Sequence, residues 1–332
     1  MTVRQRRLLG VGALAAALAV AALASLAFGS AALSFTQVWQ ALFEPTGQAS
    51  DAIVRELRVP RTLVGLIVGV ALGVAGALIQ GHTRNPLADT GLLGLNAGAA
   101  LLVAASMHLF GFTQPAQYIW FAVAGALVAG IVVFGVASIG GKASPLSIAI
   151  AGAAVTFFMQ ALTSAIVLID VTTLDSFRFW IVGSVGGRGL DVLWQVLPFL
   201  AVGLLLAVVN TPALNVLNLG DDVARALGGN LAVSRAVGLA SVTLLSAGAT
   251  AACGPIAFVG LVVPHVARAI TGPDYRWLVP YAGLLGGVLL VGADVLGRLV
   301  VRPGELDVGV MLALLGAPFF ILLVRQRKLA AL

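Results

Sequence analysis

Few side chains in this 332-residue chain could do covalent chemistry. It has three histidines, but no His-Glu-x-x-His, no paired histidines and no Ser/His/Asp grouping. Neither a zinc hydrolase nor a nucleophilic triad therefore has its parts. Cys253 is the single cysteine, which leaves no internal disulfide and no cysteine-based metal site. Two ionisable residues, Asp294 and His265, fall inside apolar stretches. A charge there is costly and marks function by default. Asp294 stands four residues before Arg298, the spacing of a helical ion pair, with a transport role as the alternative. His265 follows Pro264 and reads as a helix-end histidine bonded to a loop carbonyl, with ligation as the alternative. No second carboxylate sits at helical spacing on another apolar stretch, so a proton or sodium relay is poorly represented. Thr156, Gln160, Thr163 and Ser164 recur at i, i+4, i+7 and i+8, on one helical face. Such a face lines a polar pathway or bonds to a neighbouring helix, and both readings stay open at this point.

The elements that must position these groups are membrane helices. Hydrophobic residues make up 60% of the chain and charged residues only 10%, against roughly 25% charged in an ordinary soluble domain. That surface cannot be wetted, so a soluble enzyme, a disordered chain and a nucleic-acid binder are excluded. The net charge of +6 reads as loop arginines beside membrane spans. Forty glycines suit helices packed closely in lipid. No P-loop and no low-complexity tail are present.

A crossing takes about 20 apolar residues. On that measure the chain divides into about ten spans, near 8–30, 62–81, 92–110, 117–138, 146–169, 192–210, 236–252, 256–270, 277–298 and 307–324. The turn at 111–115 separates two of them, and Cys253-Gly254-Pro255 splits another run that is too long for one helix. The first 28 residues resemble a signal peptide, but the apolar stretch from Leu8 to Phe28 is longer than a usual signal core. Arg4, Arg6 and Arg7 at one end and Arg325, Arg327 and Lys328 at the other place both termini in the cytoplasm, which demands an even number of crossings. Arg84, Lys142, Arg225, Arg235, Arg268 and Arg276 then lie inside as well. Arg55, Arg58, Arg61, Arg178, Arg188, Arg298 and Arg302 lie outside, against the usual bias.

Three loops carry further signals. Residues 83–91 form a turn in which Pro86 and Gly91 end one helix and Asp89 or Thr90 caps the next. The inside stretch 211–235 holds a short amphipathic helix. Asn218, Asp221 and Asp222 read as its caps, Val223, Ala226 and Leu227 as its apolar face, and Gly228-Gly229 as its end. With no aromatic residue and a single arginine, this helix suits docking on a protein better than lying on lipid. The outside arginines Arg55, Arg58, Arg61 and Arg298 either snorkel to headgroups or serve as sockets for acidic residues of a partner.

Four blocks carry a family resemblance. RVPRTLVGLIVGVALGVAGALIQGHTRNPLADTGLLGLNAGAA (58–100), LGDDVARALG (219–228), CGPIAFVGLVVPHVARAITG (253–272) and ELDVGVMLALLGAPFFILLVR (305–325) together resemble the iron-siderophore and cobalamin permeases of ABC importers, the FecCD type. His82 replaces a usual apolar or aromatic residue, and Asp89-Thr90-Gly91 varies the usual Asp/Glu-Pro-Gly.

The resemblance implies an all-α integral membrane protein of the type II importer fold, a single permease domain over 1–332 with a coupling segment at about 211–230. It implies a second permease subunit, identical or paralogous, two cytoplasmic ATPase subunits and an extracytoplasmic binding protein. ATP and Mg would be held by the ATPase, with no cofactor or metal on this chain and no catalysis by it. It further implies that Leu219, Gly220, Asp221, Asp222, Ala224, Arg225, Leu227 and Gly228 meet the ATPase. Arg58, Arg61 and Arg298 would receive binding-protein glutamates. The fifth span and a short helix near 172–184, with Trp180, Gly183 and Ser184, would form the gate, alongside Thr156, Gln160, Thr163 and Ser164. The expected cargo is a ferric siderophore carried across the cytoplasmic membrane. The alternatives are haem or cobalamin and, in another class, a proton-coupled secondary transporter.

Overall fold

The computed structural model describes residues 2–139 and 144–325; Lys142, Arg327 and Lys328, placed inside by the charge argument, lie outside the described residues. The described chain is helical throughout. Its order is α1 (Val3–Ala27), α2 (Phe35–Phe43), α3 (Ala49–Ala52), a π-helical turn (Ile53–Arg58), α4 (Val59–Thr83), a 3-10 turn (Thr90–Leu93), α5 (Leu95–Phe110), α6 (Pro115–Ala137), α7 (Pro145–Ile169), α8 (Val171–Val182), α9 (Leu190–Leu217), α10 (Asp221–Ala226), α11 (Leu231–Cys253), α12 (Val259–Thr271), α13 (Tyr275–Val300) and α14 (Val308–Arg325). Seven helices among the described residues are long and apolar enough to cross a membrane, and α5, α12 and α14 are shorter apolar helices. The protein is a multi-pass integral membrane protein.

Breaks fall where backbone chemistry requires them. Gly111 takes a left-handed conformation between α5 and α6, and Gly254 does the same work between α11 and α12. The stretch expected to be a loop from residue 211 begins later. Residues 211–217 continue α9 through Pro212, and the loop starts only at Asn218. Asn218 caps the end of α9, donating from Nδ2 to the Leu214 carbonyl at 2.8 Å; it does not cap α10.

The hub is α4, almost entirely buried between α13, α11, α12 and α9. Small residues permit this. A Cβ on Gly69 would collide with the backbone of Gly286 and Gly287, and one on Gly98 in α5 with Gly125 in α6, the close approach that glycine allows in lipid. The segment before α4 was not foreseen as structured. Val38 and Ala41 of α2 bury against Val54, leaving Phe35, Trp39 and Phe43 exposed.

Candidate functional site

Two clusters lie at the two ends of α4. At its start, Arg58, Arg61 and Arg298 come together as expected, but with different roles. Arg58 is buried and spends its donors on the end of α1: Nη1 to the carbonyls of Leu26 (2.7 Å) and Ala27 (2.9 Å), Nη2 to that of Ala31 (2.6 Å). Free carbonyls at a helix C-terminus favour a cation there. Arg298, 1% exposed, donates to the carbonyls of Ser25 and Phe28 and to Ser25 Oγ. Neither guanidinium snorkels to solvent.

Asp294 makes the predicted pair with Arg298, Nη2 to Oδ2 at 2.9 Å. It also takes a forked contact from Arg61, whose Nη2 lies 2.8 Å from Oδ1. Arg61 Nη1 reaches Glu305 at 2.6 Å, and Ser30 donates to the same carboxylate at 2.7 Å. Burial alone would raise the Glu305 carboxyl. Hydrogen bonds from Arg61 and Ser30, with the charges of Arg61 and Arg298, outweigh it and hold Glu305 below the usual range. A cavity of about 230 Å³ opens above, lined by Ser30, Arg58, Arg61, Gly187, Arg298 and Glu305. Arg61, at the mouth, is the most accessible of the three arginines. Glu305 and the Arg61–Asp294 contact were missed in the sequence because their partners lie hundreds of residues away.

At the other end of α4, Arg84 adopts a left-handed conformation, φ 49°, and turns its side chain to α10. Asp221 Oδ1 accepts from Arg84 Nη2 at 2.5 Å and Oδ2 from Arg235 Nη2 at 2.8 Å. Burial raises this carboxyl, but the hydrogen bonds and charges of Arg235 and Arg84 win and hold it below the usual range. Asp221 is thus an anchor, not a cap. Ala224 is buried under α10, so this expected contact residue faces the protein and not a partner. Leu219 and Leu227 are 64% and 65% exposed, and Val223 is exposed between them. Asp222 and Arg225 pair on the open face at 3.0 Å. Gly220 and Gly228 take positive φ on either side of the helix. The 83–91 turn, read as a plain connector, supplies Arg84.

The polar residues of α7 do not share one environment. Thr163 is buried and donates to the Met159 carbonyl at 2.8 Å. Thr156 is half-buried, while Gln160 and Ser164 are exposed beside Phe157. The four straddle the edge of the helix's buried arc. Trp180 of α8 is buried against Phe177, ring centroids 5.8 Å apart. Ser184 N–H donates to the Cys253 carbonyl at 2.7 Å, and Gly309 N–H to the Gly183 carbonyl at 3.0 Å. The segment after α8 therefore joins the end of α11 to the start of α14. His265 lies within α12, not at a helix end. It meets the Phe319 ring edge-on at 6.1 Å, because α12 continues through Pro264; the expected bond to a loop carbonyl is not formed among the described residues. No group of three or more His, Cys, Asp or Glu that could hold a metal ion occurs among the described residues, and Cys253 is buried.

The model of the FecCD transport family matches residues 17–326. The ferric enterobactin transport system permease protein FepD of Escherichia coli (strain K12) is 44% identical over 324 residues, 97% of this chain and 96% of that protein. The hemin transport system permease protein HmuU of Yersinia pestis is 35% identical over 323 residues, 96% of each. A solved structure of a metal-chelate type ABC transporter, in an inward-facing conformation, superposes with a TM-score of 0.83 at 26% identity, covering 95% of this chain and 98% of that one.

Proposed function

We propose, from the premise that this chain belongs to the FecCD transport family, that it is the membrane subunit of a binding-protein-dependent ABC importer for ferric siderophores. One observation carries the reading. A single buried helix, α4, begins at the arginine cluster and ends at the anchor of α10. Its 25 residues span about 37 Å at 1.5 Å per residue, so one rigid rod joins an outer acceptor of carboxylates to an inner apolar knuckle.

In this reading the extracytoplasmic binding protein docks through acidic residues at the rim of the cluster, with the part-buried Arg61 as the most accessible of the three arginines and Arg58 and Arg298 fixing the rim. Two cytoplasmic ATPase subunits receive Leu219, Val223 and Leu227. A second permease subunit pairs with this one, and the exposed Gln160 and Ser164 of α7 face the path between them. Their hydroxyl and amide groups offer exchangeable hydrogen bonds to a hydrophilic chelate without a fixed charge. The seven long and three short apolar helices, if each crosses once, support ten crossings, and the loop charges support both termini in the cytoplasm. ATP is hydrolysed on the partner. Its differential binding to two states drives alternating access. The higher identity to the ferric enterobactin permease (44%) than to the hemin permease (35%) supports a ferric siderophore over haem. Binding of ferric siderophores, haem and cobalamin to the cognate binding protein tests this: the reading expects ferric siderophore alone to bind tightly, and tight haem or cobalamin binding instead refutes the cargo.

A further inference from the structure

We infer that the Arg84–Asp221–Arg235 bridge is the positioning link that carries motion of α10 into α4 and α11, separate from the surface on which α10 docks. This rests on the reading of α10 as the ATPase contact.

The geometry divides α10 into two sets of residues. Leu219, Val223 and Leu227 are exposed, and the Asp222–Arg225 pair lies on the open face. The helix is held to the rest of the chain chiefly by the buried Ala224 methyl and the Asp221 carboxylate. Both carboxylate oxygens are used, one by each arginine. Arg84 Nη2 also donates to the Leu217 carbonyl at 2.6 Å, the last residue of α9. The Asp221 carboxylate therefore joins α10 to the end of α4 and to α11, and Arg84 ties in the end of α9.

The flanking backbone is a pliable route for a push. Gly220 at φ 113° and Gly228 at φ 78° sit on both sides of a helix of only six residues, and glycine is the most pliable residue in the chain. An apolar contact such as Ala224 resists compression but not sliding. A forked ion pair resists both, because its hydrogen bonds are directional. An isolated exposed ion pair contributes little to stability. The bridge therefore earns its place by fixing a direction, and a variant that breaks it leaves folding and docking in place while loosening the link.

The test uses the complete complex of permease, ATPase and binding protein in proteoliposomes. Two quantities are read: the ATPase retained on the purified permease, and the stimulation of ATP hydrolysis by loaded binding protein. Asp221→Asn and Arg84→Gln are expected to retain the ATPase at wild-type stoichiometry while stimulation falls about fivefold or more, the lower end of a typical coupling free energy. Asp221→Glu, which keeps the carboxylate, restores most of it. The double variant loses less than the two single losses combined, since the Arg84–Asp221 contact is removed in both. Wild-type stimulation in both single variants overturns the link. So does loss of the ATPase from them, which would make the bridge part of docking or folding. Leu219→Asp with Leu227→Asp tests the underlying reading by itself. Full ATPase retention there overturns α10 as the docking surface, whatever the bridge variants do.

Discussion

Replacing Asp294 by asparagine strikes the centre of the arginine cluster at the start of α4. The side chain is 3% exposed and lies between Arg298, 2% exposed, and Arg61, 12% exposed. Asparagine keeps the shape but leaves two guanidinium groups facing one another with no charge between them. Breaking a buried pair by removing one partner costs about 3–5 kcal/mol. Part of that is offset here. Arg61 keeps Glu305, and Arg298 keeps Ser25 Oγ and the carbonyls of Ser25 and Phe28. The expected loss is therefore near the lower bound, about 3 kcal/mol. Arg61→Gln should cost less, about 1–2 kcal/mol for lost charged hydrogen bonds, because Asp294 keeps Arg298 and Glu305 keeps Ser30. Unfolding by dodecyl sulfate in mixed micelles, followed by tryptophan fluorescence, measures both. An Asp294→Asn variant within about 1 kcal/mol of wild type, or one more stable than Arg61→Gln, refutes the reasoning.

Topology, pathway and pH dependence give three further expectations. With Cys253 replaced by serine, a cysteine at position 48 should react with an impermeant thiol reagent from outside, and one at 230 only after permeabilisation; outside labelling at 230 contradicts ten crossings. A cysteine at 160 should change its reactivity between nucleotide-free and ATP-bound complexes, whereas one at the buried position 163 should stay unreactive in both; nucleotide-independent labelling at 160 removes it from the pathway. Glu305 has a lowered pKa in the folded protein, so its contribution to stability is present above the ordinary glutamate value and is lost as the pH falls through the depressed one. It is about 1 kcal/mol or less for so accessible a pair, and Glu305→Gln should flatten the unfolding profile only in that acid window.

The membrane helices were legible because lipid imposes a length and a composition on each one. The chain breaks also showed, since Gly111 and Gly254 stand where the backbone needs a left-handed residue. Side-chain partners were another matter. Arg58 and Arg298 looked like cations stranded outside, yet their acceptors are carbonyls at the end of α1. Backbone acceptors have no residue type, so no sequence pattern marks them. Asp294 and Arg298 were paired correctly because helical spacing brings them together, while Arg61, 233 residues from Asp294, was invisible to spacing. Asp221 looked like a cap because aspartate commonly caps helices; only the approach of Arg84 across 137 residues shows it as an anchor. On α7 the spacing of Thr156, Gln160, Thr163 and Ser164 was right, but the position of the buried arc depends on α5 and α6, and it hides Thr163 while exposing Gln160.

On the proposed function, transport by this chain is driven by a partner ATPase and gated by a binding protein. Ferric siderophore uptake into proteoliposomes, with the cognate ATPase and binding protein present and the membrane pH gradient collapsed, tests it most directly. The account predicts accumulation of iron that requires ATP, requires the binding protein and is indifferent to the pH gradient. Uptake that persists without the ATPase and follows an imposed pH gradient would contradict it.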